Sequence, residues 1–148
     1  MTPEHEKTGS VRWPQRRHTL VCYLYELASP DFQHERWIEG RGGTPGTMYG
    51  FSLIVNFFFD DTELAKNPGG TVGDILLDEL ELAVIRNVGK ALSSVLGEIG
   101  VNKSDRDYVS SRGWSNVIVT SQKAYRLLRS RMVSGAEGSL PPELESPE

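Results

Sequence analysis

The sequence predicts a single small α+β domain with β-β-α-β-α order, in which one long amphipathic helix covers one face of a mostly antiparallel sheet. Three observations predict this fold class. Three short runs are rich in β-branched and aromatic residues, which favour strands. One long segment has apolar residues at helical spacing. The chain has 148 residues, 38% of them hydrophobic, a size and composition typical of one domain with its own core.

Three runs are predicted to be strands. Residues 19–27 (TLVCYLYEL) are largely apolar on both alternating faces, as in an interior strand of a sheet. Residues 49–60 (YGFSLIVNFFFD) have one uninterrupted apolar face, whereas Ser52 and Asn56 make the other face partly polar. Residues 114–120 (WSNVIVT) form the third predicted strand. We expect the first two strands to pair antiparallel.

Two segments are predicted to be helices. Residues 71–99 have apolar side chains at spacings of three and four over about seven turns. Thr71 is expected to cap the start of this helix, with Asp74 three residues further on, and Gly100 is expected to follow its end. The second helix, residues 122–133, is shorter and completes the predicted order of elements.

Composition divides the chain into three parts. Residues 1–17 contain two prolines among charged residues and are expected to form a mobile arm, although the large side chain of Trp13 should dock somewhere. Residues 18–133 hold the predicted α+β domain. Residues 134–148 contain three prolines and four glutamates, and we expect them to form a disordered acidic tail.

Composition also excludes several classes of protein. One cysteine cannot form an internal disulfide or a multi-thiolate metal site, and it fits a reducing compartment. A net charge of −4 and a pI near 5.4 argue against nucleic acid as a partner. The polar N-terminal segment is unlike a secretory signal, and no run reaches about 18 apolar residues, so we expect a cytoplasmic protein with no membrane partner. The glycine run at 40–46 lacks the phosphate-loop pattern, and no cofactor is expected.

A 21-residue connection, residues 28–48, is longer than most loops in compact domains, and such loops are often functional. It contains Phe32, Arg36 and Trp37, and tryptophan and arginine are the residue types that most often dominate binding energy. We therefore predict these three side chains as anchors for a protein partner. The alternative is a short helix over residues 31–38 that packs Phe32 and Trp37 on the sheet.

Charge is distributed unevenly along the chain. Residues 60–82 hold seven acidic residues and one lysine, a net charge of −6, whereas residues 103–131 have a net charge of +5. Four acidic side chains are predicted to bind a partner with a basic surface: Asp74, Asp78, Glu79 and Glu81. Three alternatives stay open. The two segments neutralise each other within the chain, the acidic tail folds back on the basic helix, or both segments are solvated helix faces.

Candidate catalytic groups are few. Asp60 and Asp61 end the second predicted strand, where such a pair could hold Mg²⁺ for metal-assisted hydrolysis; alternatively, they only solvate the turn. The three histidines lack metal-ligand spacing. Cys22 and His18 share a strand face, but a separation of about 13 Å along an extended chain precludes activation of the thiol.

Taken together, these patterns favour a non-catalytic protein-binding module. Small size, acidity and the lack of a catalytic constellation are shared by many immunity-type and antitoxin-type inhibitors, a likeness of class and not of residues. One alternative is a structural subunit of phage or compartment type, which would form a homo-oligomer through the apolar face of residues 76–99 or through an open sheet edge. The other alternative is the metal-assisted hydrolase at Asp60 and Asp61.

Overall fold

The computed structural model describes residues 11–40, 50–132 and 139–144. The helices in these residues are α1 (Pro14–Ala28), α2 (Pro30–Phe32), α3 (Phe51–Asn56), α4 (Glu79–Ile99), α5 (Asp105–Val109) and α6 (Trp114–Ser130). Two wider π-helical turns, Gln33–Ile38 and Phe57–Asp61, continue α2 and α3, and a 3-10 turn spans Pro68–Thr71. The predicted α+β class is wrong, because the described residues form no β-strand and show only an isolated bridge between Val72 and Leu76.

The first predicted strand lies inside α1. Its buried side chains recur at helical spacing, with Leu20, Leu24 and Leu27 fully buried on one side. Pro14 suits the first helical position because its φ is already helical and its missing N–H needs no partner there. A run that is apolar on both alternating faces fits a buried helix as well as a strand. The predicted boundary between arm and domain, at residue 18, falls within this helix.

The second predicted strand is also helical where it is described, since α3 and the turn Phe57–Asp61 cover it and Tyr49 lies outside the described residues. Its buried residues Phe51, Ile54 and Phe58 are three and four positions apart, which is the spacing of one helix face. The start is fixed from another part of the chain, because the backbone N–H of Phe51 donates to Oδ1 of Asp105 at 3.0 Å.

The third predicted strand and the second predicted helix are one element, α6, and only Val133 of the two lies outside the described residues. Buried positions run through both parts without a break in helical phase: Trp114, Val117, Ser121, Ala124, Tyr125 and Leu128. The β-branched residues at 117–120 suggested a strand, but tertiary packing overrides such local preferences.

The long helix is confirmed from residue 79 to its end, and its predicted start is wrong. Asp78 is the N-cap, and its side chain accepts a hydrogen bond from the N–H of Glu81 at 3.2 Å. Thr71 instead closes a tight turn, with its carbonyl oxygen accepting from the N–H of Ile75 at 2.8 Å. The helix ends before Gly100, whose φ of 100° lies in the region that glycine tolerates best.

The core lies where α6 packs against both α1 and α4. The apolar face of α4 is buried in this contact, including Ile85, Leu92 and Val95. The homo-oligomer hypothesis relied on this face or on a sheet edge. The first is already covered within the chain, and the described residues provide no sheet.

Aromatic rings fill the other side of the core. Trp114 meets Trp37 and Phe51 at centroid distances of 5.9 and 5.2 Å, and Phe51 meets Tyr108 at 4.6 Å. Such tilted and edge-on contacts are the favourable geometries for aromatic pairs. They join α6 to the segments at α2, α3 and α5, so the short helices share one core with the long ones.

We expect Leu128→Ala to lower the free energy of unfolding by about 2–5 kcal/mol, because it opens a cavity between α6 and its neighbours. Leu80→Ala is the matched control, since Leu80 is 63% exposed, and its effect should stay within about 0.5 kcal/mol. Urea unfolding followed by circular dichroism measures both. Equal losses for the two variants would contradict the assigned core.

Candidate functional site

Three long helices meet at a cluster of buried charge, the ion-pair cluster, formed by Arg17, Asp78, Glu81 and Arg131. Arg17 near the start of α1 donates from both terminal nitrogens to the two carboxylate oxygens of Glu81, at 2.7 and 2.8 Å. Arg131, directly after α6, donates to Asp78 and to Glu81 at 3.0 Å. The cluster therefore ties the start of α1, the start of α4 and the end of α6 together.

The carboxylate of Glu81 is held in its charged form. Burial by itself raises the pKa of Glu81, but hydrogen bonds from Arg17, from the N–H of Leu77 and from Arg131 outweigh burial and bring the pKa below its ordinary value. The hydrogen bond from Arg131 is the main reason that the pKa of Asp78 is also lowered. Neither carboxylate suits proton transfer near neutral pH, because a general acid or base needs a pKa close to the working pH.

Side chains that reach solvent beside this cluster form what we call the entry face, which includes the half-exposed Asp78 of the cluster itself. Its members are Trp13, Asp74, Asp78, Glu79 and Leu80. Trp13 is 41% exposed and Leu80 is 63% exposed. Backbone hydrogen bonds from Arg12 to Gly73 and from Trp13 to Asp74, at 2.9 and 2.8 Å, hold the start of the first described segment against the turn before α4. The entry face thus combines carboxylates with two large apolar side chains on a fixed base.

The four acidic residues predicted to bind a partner have different environments. Glu81 is completely buried and paired, so its carboxylate is not available to a partner. Asp78 is half-exposed but shared with Arg131, and the carboxylate of Asp74 lies 4.0 Å from Arg12. Glu79 is exposed. Part of the acidic segment is therefore neutralised within the chain, as one of the alternatives had it.

The structure does not bring the predicted aromatic anchors to the entry face. Trp37 is 7% exposed and packs in the core, and Phe32 is half-buried against the ring of Tyr25, with the guanidinium of Arg36 over its other side. Trp37 contacts Glu26 near the end of α1, whereas the entry face lies by Arg17 near the start of α1. Glu26 and Arg17 are nine residues apart along the helix, a distance of about 14 Å. The alternative of a short helix packing both aromatic residues is closer to the observed geometry, although they pack on helices. Residues 41–48 of the predicted loop lie outside the described residues.

Asp60 and Asp61 end the π-helical turn after α3, and both are exposed. Within the described ranges, no three His, Cys, Asp or Glu side chains come together in a way that could hold a metal ion. The geometry gives the hydrolase hypothesis no support.

The expected separation of Cys22 and His18 is wrong, because both lie on α1 four residues apart. Sγ of Cys22 is 3.8 Å from Nδ1 of His18. Burial, followed by the nearby charge of Glu26, raises the pKa of the Cys22 thiol. The thiol is therefore protonated near neutral pH and does not act as an activated nucleophile.

A buried polar network around Glu26 was not predicted. The indole N–H of Trp37 donates to Oε1 of Glu26 at 3.2 Å, and the side chain of Gln33 connects two carbonyl oxygens at the end of α1 with the indole N–H of Trp114. Burial raises the pKa of Glu26 to about 7, despite the opposing effects of the Trp37 hydrogen bond and of Arg36. One sequence signal was available, namely a lone glutamate within a run of apolar residues.

These features define a small helical domain whose ion-pair cluster joins its three long helices. The chain belongs to a family described as Domain of unknown function (DUF7945), whose model matches residues 11–134. Comparison with curated proteins and with solved structures finds no match. Of the helices that the structure describes, none has the length and apolar character needed to cross a membrane.

Glu81→Gln should destabilise the protein by about 3–5 kcal/mol, because it leaves the buried guanidinium of Arg17 without a counter-charge. The neighbouring change Glu79→Gln is the control and should cost less than about 0.5 kcal/mol, since Glu79 is exposed. The double variant Arg17→Met/Glu81→Leu should recover part of the loss. If thermal unfolding shows that Glu81→Gln destabilises the protein no more than Glu79→Gln does, the ion-pair cluster does not hold the helices together.

Glu26→Gln should remove a pH dependence of stability. The folded-state pKa of about 7 lies above the unfolded value, so wild-type stability falls as pH rises from about 4.5 to 7, by up to about 3 kcal/mol. The glutamine keeps an acceptor for Trp37 and carries no charge. Urea unfolding between pH 4.5 and 8 should therefore show the variant gaining on the wild type as pH increases. A constant difference between the two proteins over this range would refute the assignment.

Proposed function

We propose that this protein is a non-catalytic protein-binding module that docks a partner with a basic surface through the entry face. The observation that supports this most is the position of Leu80. Its side chain is 63% exposed at the first turn of α4, directly after Asp78 and Glu79. An exposed apolar side chain beside carboxylates offers a partner both buried area and charge complementarity.

The carboxylates of Asp78 and Glu79 reach solvent at the first turn of α4. Arg17 lies beneath the surface, and the side chain of Arg131 is 26% exposed. Arg12 and Arg16 are exposed cations over the ring of Trp13, at 5.0 and 5.5 Å, and Arg12 is 4.0 Å from Asp74. We propose that Glu79, together with the less exposed Asp74 and Asp78, steers a basic partner toward the face.

The base of the face is rigid, and this favours binding. Asp78 caps α4 and is held by Arg131, while Glu81 fixes the first turn from below. A surface that is already ordered loses less conformational entropy on association. We further propose that the protein acts as an inhibitor of the immunity or antitoxin type in the cytoplasm and covers the partner's active surface with this ordered face.

The variant Asp74→Lys/Glu79→Lys tests this proposal. Affinity enrichment from the source cells with the wild type identifies the partner, and its association rate with the purified proteins is then measured at several salt concentrations. We expect the variant to associate about tenfold more slowly at low salt and to show a weaker salt dependence. Leu80→Ala should instead raise the dissociation rate.

Asp60→Lys/Asp61→Lys is the matched control, because it makes the same change of charge at two exposed carboxylates outside the entry face. This control should associate nearly as fast as the wild type. The proposal fails if both double variants slow association equally, or if neither changes its rate or its salt dependence.

A further inference from the structure

His18 of α1 and Tyr125 and Arg129 of α6 line a second surface, which we call the tail groove. Residues 139–144 (SLPPEL) lie in it. The hydroxyl of Tyr125 donates to the carbonyl oxygen of Pro142 at 2.6 Å, and Nε of Arg129 donates to that of Pro141 at 2.8 Å. Nε2 of His18 is 3.0 Å from the carbonyl oxygen of Ser139.

The groove and the segment are chemically complementary. Pro141 and Pro142 have no N–H, so their backbone offers only acceptors, and the groove meets these acceptors with side-chain donors. Leu140 and Pro141 each precede a proline, which restricts both to extended conformations. Such a segment loses little conformational entropy on binding, and this is the usual basis of proline-peptide recognition.

The donors are oriented by the protein. Tyr125 is fully buried with the segment in place, and burial raises its pKa to about 12, so the hydroxyl keeps its proton. The Cys22 thiol lies 3.8 Å from Nδ1 of His18. A thiol that donates to Nδ1 leaves the ring proton on Nε2, which faces the Ser139 carbonyl. The groove thus presents its donors in a fixed arrangement.

Charge and shape extend the match beyond the two prolines. The Glu143 carboxylate lies 3.4 Å from Nη1 of Arg129, and Leu144 packs against the edge of the core. A cavity of about 190 Å³ stays open beside the segment. It is lined by Tyr125, Arg126, Arg129, Ser130, Glu143 and Leu144. Residues 139–144 therefore leave room in the groove for larger side chains than their own.

The groove belongs to the family domain and the segment does not, because the family match ends at residue 134. We propose that the tail groove binds an extended segment of a partner protein with an apolar–Pro–Pro–acidic–apolar sequence, and that the chain's own residues 139–144 occupy it as an intramolecular competitor. The tail groove shares no residue with the entry face, so this binding is additional to the function proposed above.

The competition has an expected size. Six residues join Met132 to Ser139, and a tether of that length gives an effective concentration in the millimolar range. For a peptide whose own Kd is about 0.1 mM, the attached tail should weaken binding about tenfold. Wild-type protein should therefore bind a free peptide poorly, although its groove is intact.

The test uses a fluorescent Ser-Leu-Pro-Pro-Glu-Leu peptide and the full chain. In the variant Leu140→Gly/Pro141→Gly/Pro142→Gly/Leu144→Gly the tail keeps its length and loses its fit. We expect this variant to bind the peptide about tenfold more tightly than the wild type in fluorescence anisotropy. Adding Tyr125→Phe should weaken peptide binding three- to tenfold, whereas adding Tyr23→Phe, a tyrosine outside the groove, should leave it unchanged.

Three outcomes would overturn the proposal. The first is that the glycine variant binds a Ser-Leu-Gly-Gly-Glu-Leu peptide as tightly as the proline peptide, which would show that the groove does not recognise proline. The second is that Tyr23→Phe weakens peptide binding as much as Tyr125→Phe does, which would show that the peptide binds outside the tail groove. The third is that the wild type sediments as a dimer and the glycine variant does not, which would show that the tail of a second copy occupies the groove.

Discussion

The carboxylate of Glu81 has no access to solvent, so the chain itself must supply its counter-charges. Arg17 and Arg131 do so from two other long helices, one from the start of α1 and one from beyond the end of α6. A buried carboxylate with excellent geometry on both sides tolerates little displacement, because losing either partner leaves an uncompensated charge in the interior. The packing of α6 between α1 and α4 and the fixed position of the entry face both depend on this arrangement.

The charge pattern acquires a different meaning in the folded chain. Along the sequence, an acidic segment before residue 82 is followed by a basic segment up to residue 131, which suggests a strongly polar molecule. In the structure, Arg131 from the basic segment neutralises Asp78 and Glu81 from the acidic one. Arg129 likewise meets Glu143 of the tail. These pairs use part of the formal charge for internal contacts, whereas most charged side chains of the described residues are exposed to solvent.

The sequence predicted a long helix over residues 71–99, which is confirmed from residue 79 to its end before Gly100, because its amphipathic period is unambiguous over many turns. The strand predictions for residues 19–27, 49–60 and 114–120 are wrong for one common reason. Short apolar runs rich in aromatic and β-branched residues fit a buried helix as well as a strand. The ion-pair cluster was harder to predict from the sequence than the helices. Arg17 and Glu81 are 64 residues apart, and no periodicity connects them. Glu81 was predicted as a partner-binding group, whereas the structure buries it and pairs it with Arg17 and Arg131.

The π-helical turn Gln33–Ile38 holds one residue more than an α-helical turn would need. That residue allows the amide of Gln33 to meet the Trp114 indole while the Trp37 indole meets Glu26. Such a turn has the geometry of an α-helix into which one residue has been inserted. Loss of one residue between Gln33 and Trp37 would change the angle between these two side chains about the helix axis by about 100°, so that the contacts with Trp114 and with Glu26 would not form together. The number of residues between Gln33 and Trp37 is therefore under a constraint of its own, distinct from any constraint on their identities.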